Sequence, residues 1–207
     1  RGAVFTKDSQ TLLVGRMGGG GIAVLDIAAR HHIGSVWGMR PTPRHLEISP
    51  DGQQVYVSSN ASGAVALYNT AELISAAKHR RKSLTPRREV RTGTGTRTIA
   101  LSPDGSLLAA GSQQGHLAVW DASQGELLWR TSRPGRVLRQ LAFSTDGVRV
   151  YVGEQGPEGR VAAYAARTGR PLWHWDAATV LGSSAPPDPA APYAWSLWPG
   201  VYALRVL

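Results

Sequence analysis

The sequence has 207 residues, 42% of them hydrophobic and 18% charged, which is enough for a packed core and excludes a disordered chain. It has no cysteine, so disulfides, zinc–thiolate sites and thiol catalysis are excluded. The net charge is +9, and most of the excess is local: Lys78, Arg80, Arg81, Lys82, Arg87, Arg88 and Arg91, offset by Glu89, put about +6 into one stretch.

In chain order, residues Arg1 to Phe5 begin in mid-pattern and lack the parts of a signal peptide. A turn at Thr6–Ser9 follows, and then runs at Thr11–Val14, Ile22–Asp26 and Ile33–Trp37 read as strands. The Gly18–Gly21 run joins two of these strands and opens no helix, so it reads as a hairpin and not as a phosphate cradle. Next, Leu46–Ile48 leads into Ser49-Pro50-Asp51-Gly52, followed by runs at Gln54–Val57 and Ala64–Tyr68. Residues 70–91 are a basic insertion that starts with a short helix at Ala71–Ala77, and the fourth run of this copy has no clear signal. Ile99–Leu101 leads into Ser102-Pro103-Asp104-Gly105, then Leu107–Ala110, Leu117–Asp121 and Leu127–Trp129. Leu141–Phe143 leads into Ser144-Thr145-Asp146-Gly147, then Arg149–Val152, Val161–Ala165 and Leu172–Trp175. Trp173 and Trp175 alternate onto one face and read as core. Residues 177–199 form a Pro-rich insertion, after which Pro199–Leu207 repeats the lead-in of Pro134–Leu141. No apolar run approaches the roughly 18 residues that span a bilayer.

The four turns, at 6–9, 49–52, 102–105 and 144–147, carry Asp8, Asp51, Asp104 and Asp146, spaced by 43, 53 and 42 residues. That is the period of a four-stranded blade. In the turn, Pro presets φ, Asp bonds its own backbone and Gly takes the left-handed conformation. A β-sandwich would explain short strands but not a turn recurring in fixed phase.

The stretch from Pro43 through Asn60 to Tyr68 resembles the YVTN family of bacterial β-propellers and the related lactonase-like propellers. Trp120-Asp121 is similar to the close of a WD40 blade, and Asp121, Gly125 and Trp129, with Gly169 and Trp173, are similar to the quinoprotein blade signature. The resemblance implies an all-β fold across 1–207, a β-propeller with four four-stranded blades in this chain. It further implies a seven- or eight-bladed ring, completed by more chain or by a second copy as a homodimer. Such families include scaffolds, surface proteins, sugar-acid lactonases and cofactor enzymes, and they are often exported, which favours a periplasmic or secreted location. Val119 and Ala165 depart from the quinoprotein pattern, so no cofactor is expected.

Aligned on the turn, Arg44, Arg97 and Arg139 each stand two residues before the first apolar residue of the innermost strand, and Arg205 and Arg1 fall on the same place. Inner strands surround a propeller's channel, so these guanidiniums would form a collar for a carboxylate or phosphate. The alternative is a packing role, since a Pro-Arg start to this strand is common in lactonase-like propellers. His45 and Glu47 have the opposite parity to Arg44 and read as blade-face residues, and His31 and His32 point to opposite faces, so no metal site is expected. No Gly-x-Ser-x-Gly elbow or Ser–His–acid set is visible. The basic surface patch, Lys78, Arg80, Arg81, Lys82, Arg87, Arg88 and Arg91, reads as a solvated loop, with nucleic acid, an anionic membrane or an acidic protein as the alternatives; it lacks interleaved aromatics, which argues against nucleic acid. These residues lead to a non-catalytic propeller that presents an Arg-lined channel mouth to a small anion or a protein partner. The alternatives are a lactonase-like hydrolase of a sugar-acid lactone and a quinone- or haem-bearing oxidoreductase.

Overall fold

The computed structural model describes residues 2–39, 41–156 and 159–176. The first sheet is β1 (Ala3–Phe5), β2 (Thr11–Arg16), β3 (Gly21–Asp26) and β4 (His31–Val36). The second is β5 (Pro43–Ile48), β6 (Gln54–Ser59), β7 (Ala64–Asn69) and, after helix α1 (Thr70–Lys78), β8 (Arg88–Arg91). The third is β9 (Thr96–Leu101), β10 (Leu107–Ser112), β11 (His116–Asp121) and β12 (Leu127–Ser132), and the fourth is β13 (Val137–Phe143), β14 (Arg149–Gln155), β15 (Arg160–Ala165) and β16 (Pro171–Asp176). In every sheet each strand lies beside its predecessor, so the fold is all-β, built of four four-stranded propeller blades. Contacts gather the chain into two compact units, up to Leu101 and from Ser102.

The repeated turn is one hydrogen-bonded device built four times. Ser49 Oγ donates to Asp51 Oδ1 at 2.5 Å, the same oxygen accepts from the Gln53 amide at 2.9 Å, and Ser49 Oγ accepts from the Gln54 amide at 2.9 Å. Gly52 takes the left-handed conformation that closes the turn, with φ of 77°. The same three bonds recur around Asp104 and Asp146, and around Asp8 with Thr6 in place of serine. In that first turn the left-handed residue is Ser9, with φ of 58°. The serine and aspartate thus satisfy backbone groups that a tight turn leaves without strand partners.

In the first unit Leu13, Ile22, Val24 and Val36 of the first sheet pack with Leu46, Val55, Val57 and Tyr68 of the second in one buried cluster. Burying a side chain of this size contributes roughly 1.5–3 kcal/mol. Helix α1 joins that core through Leu73, Ala76 and Ala77, spaced to share one face. Asn69 caps its start, accepting from the Glu72 amide at 2.9 Å. At its end the Arg80 amide bonds the Ala77 carbonyl and the Arg81 amide bonds that of Ala76, a Schellman closure with Arg80 at φ of 52°. The helix lies directly on β4: a Cβ added to Gly34 would stand 2.1 Å from the Ala77 carbonyl oxygen. Strand β8 is the fourth run that carried no signal in sequence; of its four residues only Val90 is apolar and buried.

In the second unit the signature tryptophan is a tie between blades. Trp129 Nε1 donates to the Ala166 carbonyl at 2.7 Å, and the indole covers Gly169, where a Cβ would meet it at 2.5 Å. Trp173 and Trp175 correct the expectation that they are core. They do share one face, in a row with Tyr151 at centroid spacings of 5.8 and 5.0 Å, yet they are 39% and 63% exposed. The reason is position: β16 is the outermost strand of its sheet.

Candidate functional site

Two of the repeated arginines stand at a special backbone position of their strands. The pairing of β5 with β6 shifts register between Pro43 and His45, so Arg44 is the extra residue of a β-bulge. The pairing of β13 with β14 shifts between Leu138 and Gln140, which gives Arg139 the same status. A bulge bends the strand and re-aims the side chain it carries, and it leaves no trace in hydrophobic alternation. Arg44 and Arg97 are half-buried, whereas Arg139 is buried and donates from Nε to Gln155 Oε1 at 2.5 Å. Arg1 and Arg205 lie outside the described residues.

Strands β5 and β9 adjoin in the first unit, so Arg44 and Arg97 occupy matching positions on neighbouring strands. The residues that follow them touch. His45 Nδ1 accepts from the Ile99 amide at 3.3 Å and lies 3.3 Å from Thr98 Oγ1, while its Nε2 is 3.2 Å from Glu47 Oε1. Because Nδ1 accepts a backbone proton, Nε2 carries the ring hydrogen toward the carboxylate. His45 is buried, 6% exposed, and both of its nitrogens are engaged, so it serves as a pin between the two strands. Arg139 belongs to the second unit.

The basic patch divides in two. Arg88 and Arg91 are part of β8, opposite Leu67 and Ala64, and Arg87 bonds Glu72 at 2.6 Å. That contact holds the Glu72 carboxyl below its usual range and raises the Arg87 guanidinium. Lys78, Arg80, Arg81 and Lys82 follow one another at the end of α1, all exposed.

A buried charged group in the second unit was not legible in sequence. Glu154, 1% exposed, lies 3.2 Å from Arg133 Nε, and Arg160 Nε lies 3.7 Å from Asp176. Burial pushes the Glu154 carboxyl up, against the pull of Arg133, Arg160 and Arg136. Glu154, Arg160 and Asp176 face one another across β14, β15 and β16. Only register brings these residues together, so no local spacing could have announced them. Their mutual pairing reads as a clasp within the unit.

Among solved structures, hydrazine synthase of Kuenenia stuttgartiensis is similar over 79% of this chain and 50% of its own, with a TM-score of 0.66 and 21% identity, a likeness of fold. In sequence, 46 residues are 39% identical to the small ribosomal subunit protein RACK1y of Oryza sativa subsp. japonica. That match covers 22% of this chain and 13% of the relative, so the chain spans at most half the length of the proteins it resembles here. A family model described as outer membrane protein assembly factor BamB matches residues 69–191, more than half of the sequence, and the chain belongs to that family.

Proposed function

We propose that this chain is part of a non-catalytic binding propeller whose inner-strand arginines take an anionic group, a carboxylate or phosphate on a small molecule or protein partner. The observation that carries the reading is the placement of Arg44 and Arg97 at matching positions on adjoining strands pinned by His45. A guanidinium presents a planar fork of donors matched to such anions, and two forks on adjoining strands of neighbouring sheets can take one anion together. In this reading the chain is part of a ring of seven or eight blades, and Arg139, Arg205 and Arg1 share the sequence phase of Arg44 and Arg97. Within the second unit Arg139 would present its own fork, with its Gln155 bond as support.

Calorimetric titration with citrate tests it. The Arg44→Gln/Arg97→Gln pair is expected to weaken binding about tenfold or more, since a charge-assisted hydrogen bond contributes roughly 1.5–3 kcal/mol. Equal affinity in the two proteins would reject the site. Turnover of a sugar-acid lactone by the unsubstituted protein, lost in the pair, would reject the non-catalytic reading.

A further inference from the structure

The insertion between β7 and β8 is the one place among the described residues where a blade departs from four plain strands, and it makes a hollow that the repeats alone do not make. After α1 the chain returns along the end of the first sheet. A Cβ at Gly38 would lie 2.8 Å from the Lys82 carbonyl oxygen, so the returning segment rests on that glycine. Between them opens a recess of about 300 Å³. Its walls include Met39, Pro41, Leu84 and Pro86, with Tyr68, 1% exposed, also lining it. The lining mixes apolar side chains with Ser83 and Thr85 and, among the described residues, holds no charged side chain.

The approach to this recess is basic. Lys82 immediately precedes its wall residues Ser83 and Leu84, and Lys78, Arg80 and Arg81 precede Lys82. Among the described residues none of these four cations forms a salt bridge, while the nearby Glu72 is already paired with Arg87. Arg80 also stands where a helix end normally places glycine. The left-handed region disfavours a residue with a Cβ, and here a long cationic side chain occupies it.

We propose that this surface docks an extended acidic segment of a partner protein, with one aliphatic side chain seated in the recess and its carboxylates along Lys78, Arg80, Arg81 and Lys82. Charge complementarity selects an acidic partner. A recess walled in part by Met39, Pro41, Leu84 and Pro86 takes an aliphatic side chain, which a lipid headgroup or a phosphodiester backbone does not supply. Residues 70–91 contain no Phe, Trp or Tyr, so they offer no platform for stacked bases. The site is separate from Arg44 and Arg97 and does not depend on their role.

Fluorescence anisotropy with a labelled twelve-residue peptide, glutamate-rich with one central leucine, is the test. Binding is expected to weaken about tenfold when the peptide leucine becomes alanine, consistent with about 1.5 kcal/mol for a buried aliphatic side chain. It is expected to weaken at least tenfold when Lys78, Arg80, Arg81 and Lys82 are all changed to glutamine, and to fall as salt rises. Arg80→Gly separates binding from folding: it should melt no earlier than the unsubstituted protein and yet bind roughly two- to fivefold more weakly. Unchanged affinity in the fourfold glutamine variant would overturn the proposal. So would an absence of peptide binding, including the case where vesicles of anionic lipid or an RNA duplex bind instead through the same four residues.

Discussion

At the scale of single residues, the turn aspartates contribute to how the molecule responds to acid. Asp104 accepts from Ser102 Oγ at 2.6 Å, from the Ser106 amide at 3.0 Å and from Ser106 Oγ at 2.8 Å. These donors, the Ser102 hydroxyl first, hold its carboxyl down to about 2. Asp8, Asp51 and Asp146 shift in the same direction, each with its Ser or Thr hydroxyl as the main cause. A carboxyl whose folded value lies below its unfolded one stabilises the fold above the ordinary carboxylate range. That contribution is lost as pH falls from about 4 to about 2. Asp104→Ala should therefore lower stability at pH 7 by about 1 kcal/mol. In urea unfolding, the gap between the variant and the unsubstituted protein should close as pH approaches 2. A gap that is constant with pH would mean that the aspartate acts only through backbone conformation. Ser, Asp and Gly at fixed offsets make this device readable from sequence, because all of its bonds are local.

At the scale of elements, the contrast is between what one strand reveals and what needs a partner. Helix α1 is legible from Ala71 to Ala77 because its buried face recurs within a few residues. Strand β8 is not, because Arg88-Glu89-Val90-Arg91 offers one apolar residue and owes its conformation to pairing with β7. The bulges at Arg44 and Arg139 are likewise properties of a strand pair. Trp173 and Trp175 show the same limit: alternation gives the face they share but not whether anything covers it. The seat of α1 depends on Gly34, where any side chain would meet the backbone of Ala77. Gly34→Ala should cost roughly 1–3 kcal/mol by overpacking and, in hydrogen exchange, release the amides of α1 before those of β6 and β7. Uniform loss of protection across all three elements would show instead that the helix and the second sheet open as one.

At the scale of the whole molecule, the spacing of four aspartates led to the propeller because identical turns recur once per blade, and the fold follows from that repetition. The BamB family membership agrees with it at the level of the fold. The cluster of Glu154 with Arg133 and of Arg160 with Asp176 escaped the same reading, since those residues are drawn from a loop and three strands. The proposed function rests on repetition too: Arg44 and Arg97 share a phase in the sequence and stand on adjoining strands. The most direct measurement is anomalous diffraction from crystals of the protein soaked in selenate, an anion that the paired guanidiniums should accept. The account predicts a selenium peak placed so that the selenate oxygens lie within hydrogen-bonding distance of both Arg44 and Arg97, and its disappearance in Arg97→Gln. Selenate bound elsewhere, with those two residues bare, would contradict it.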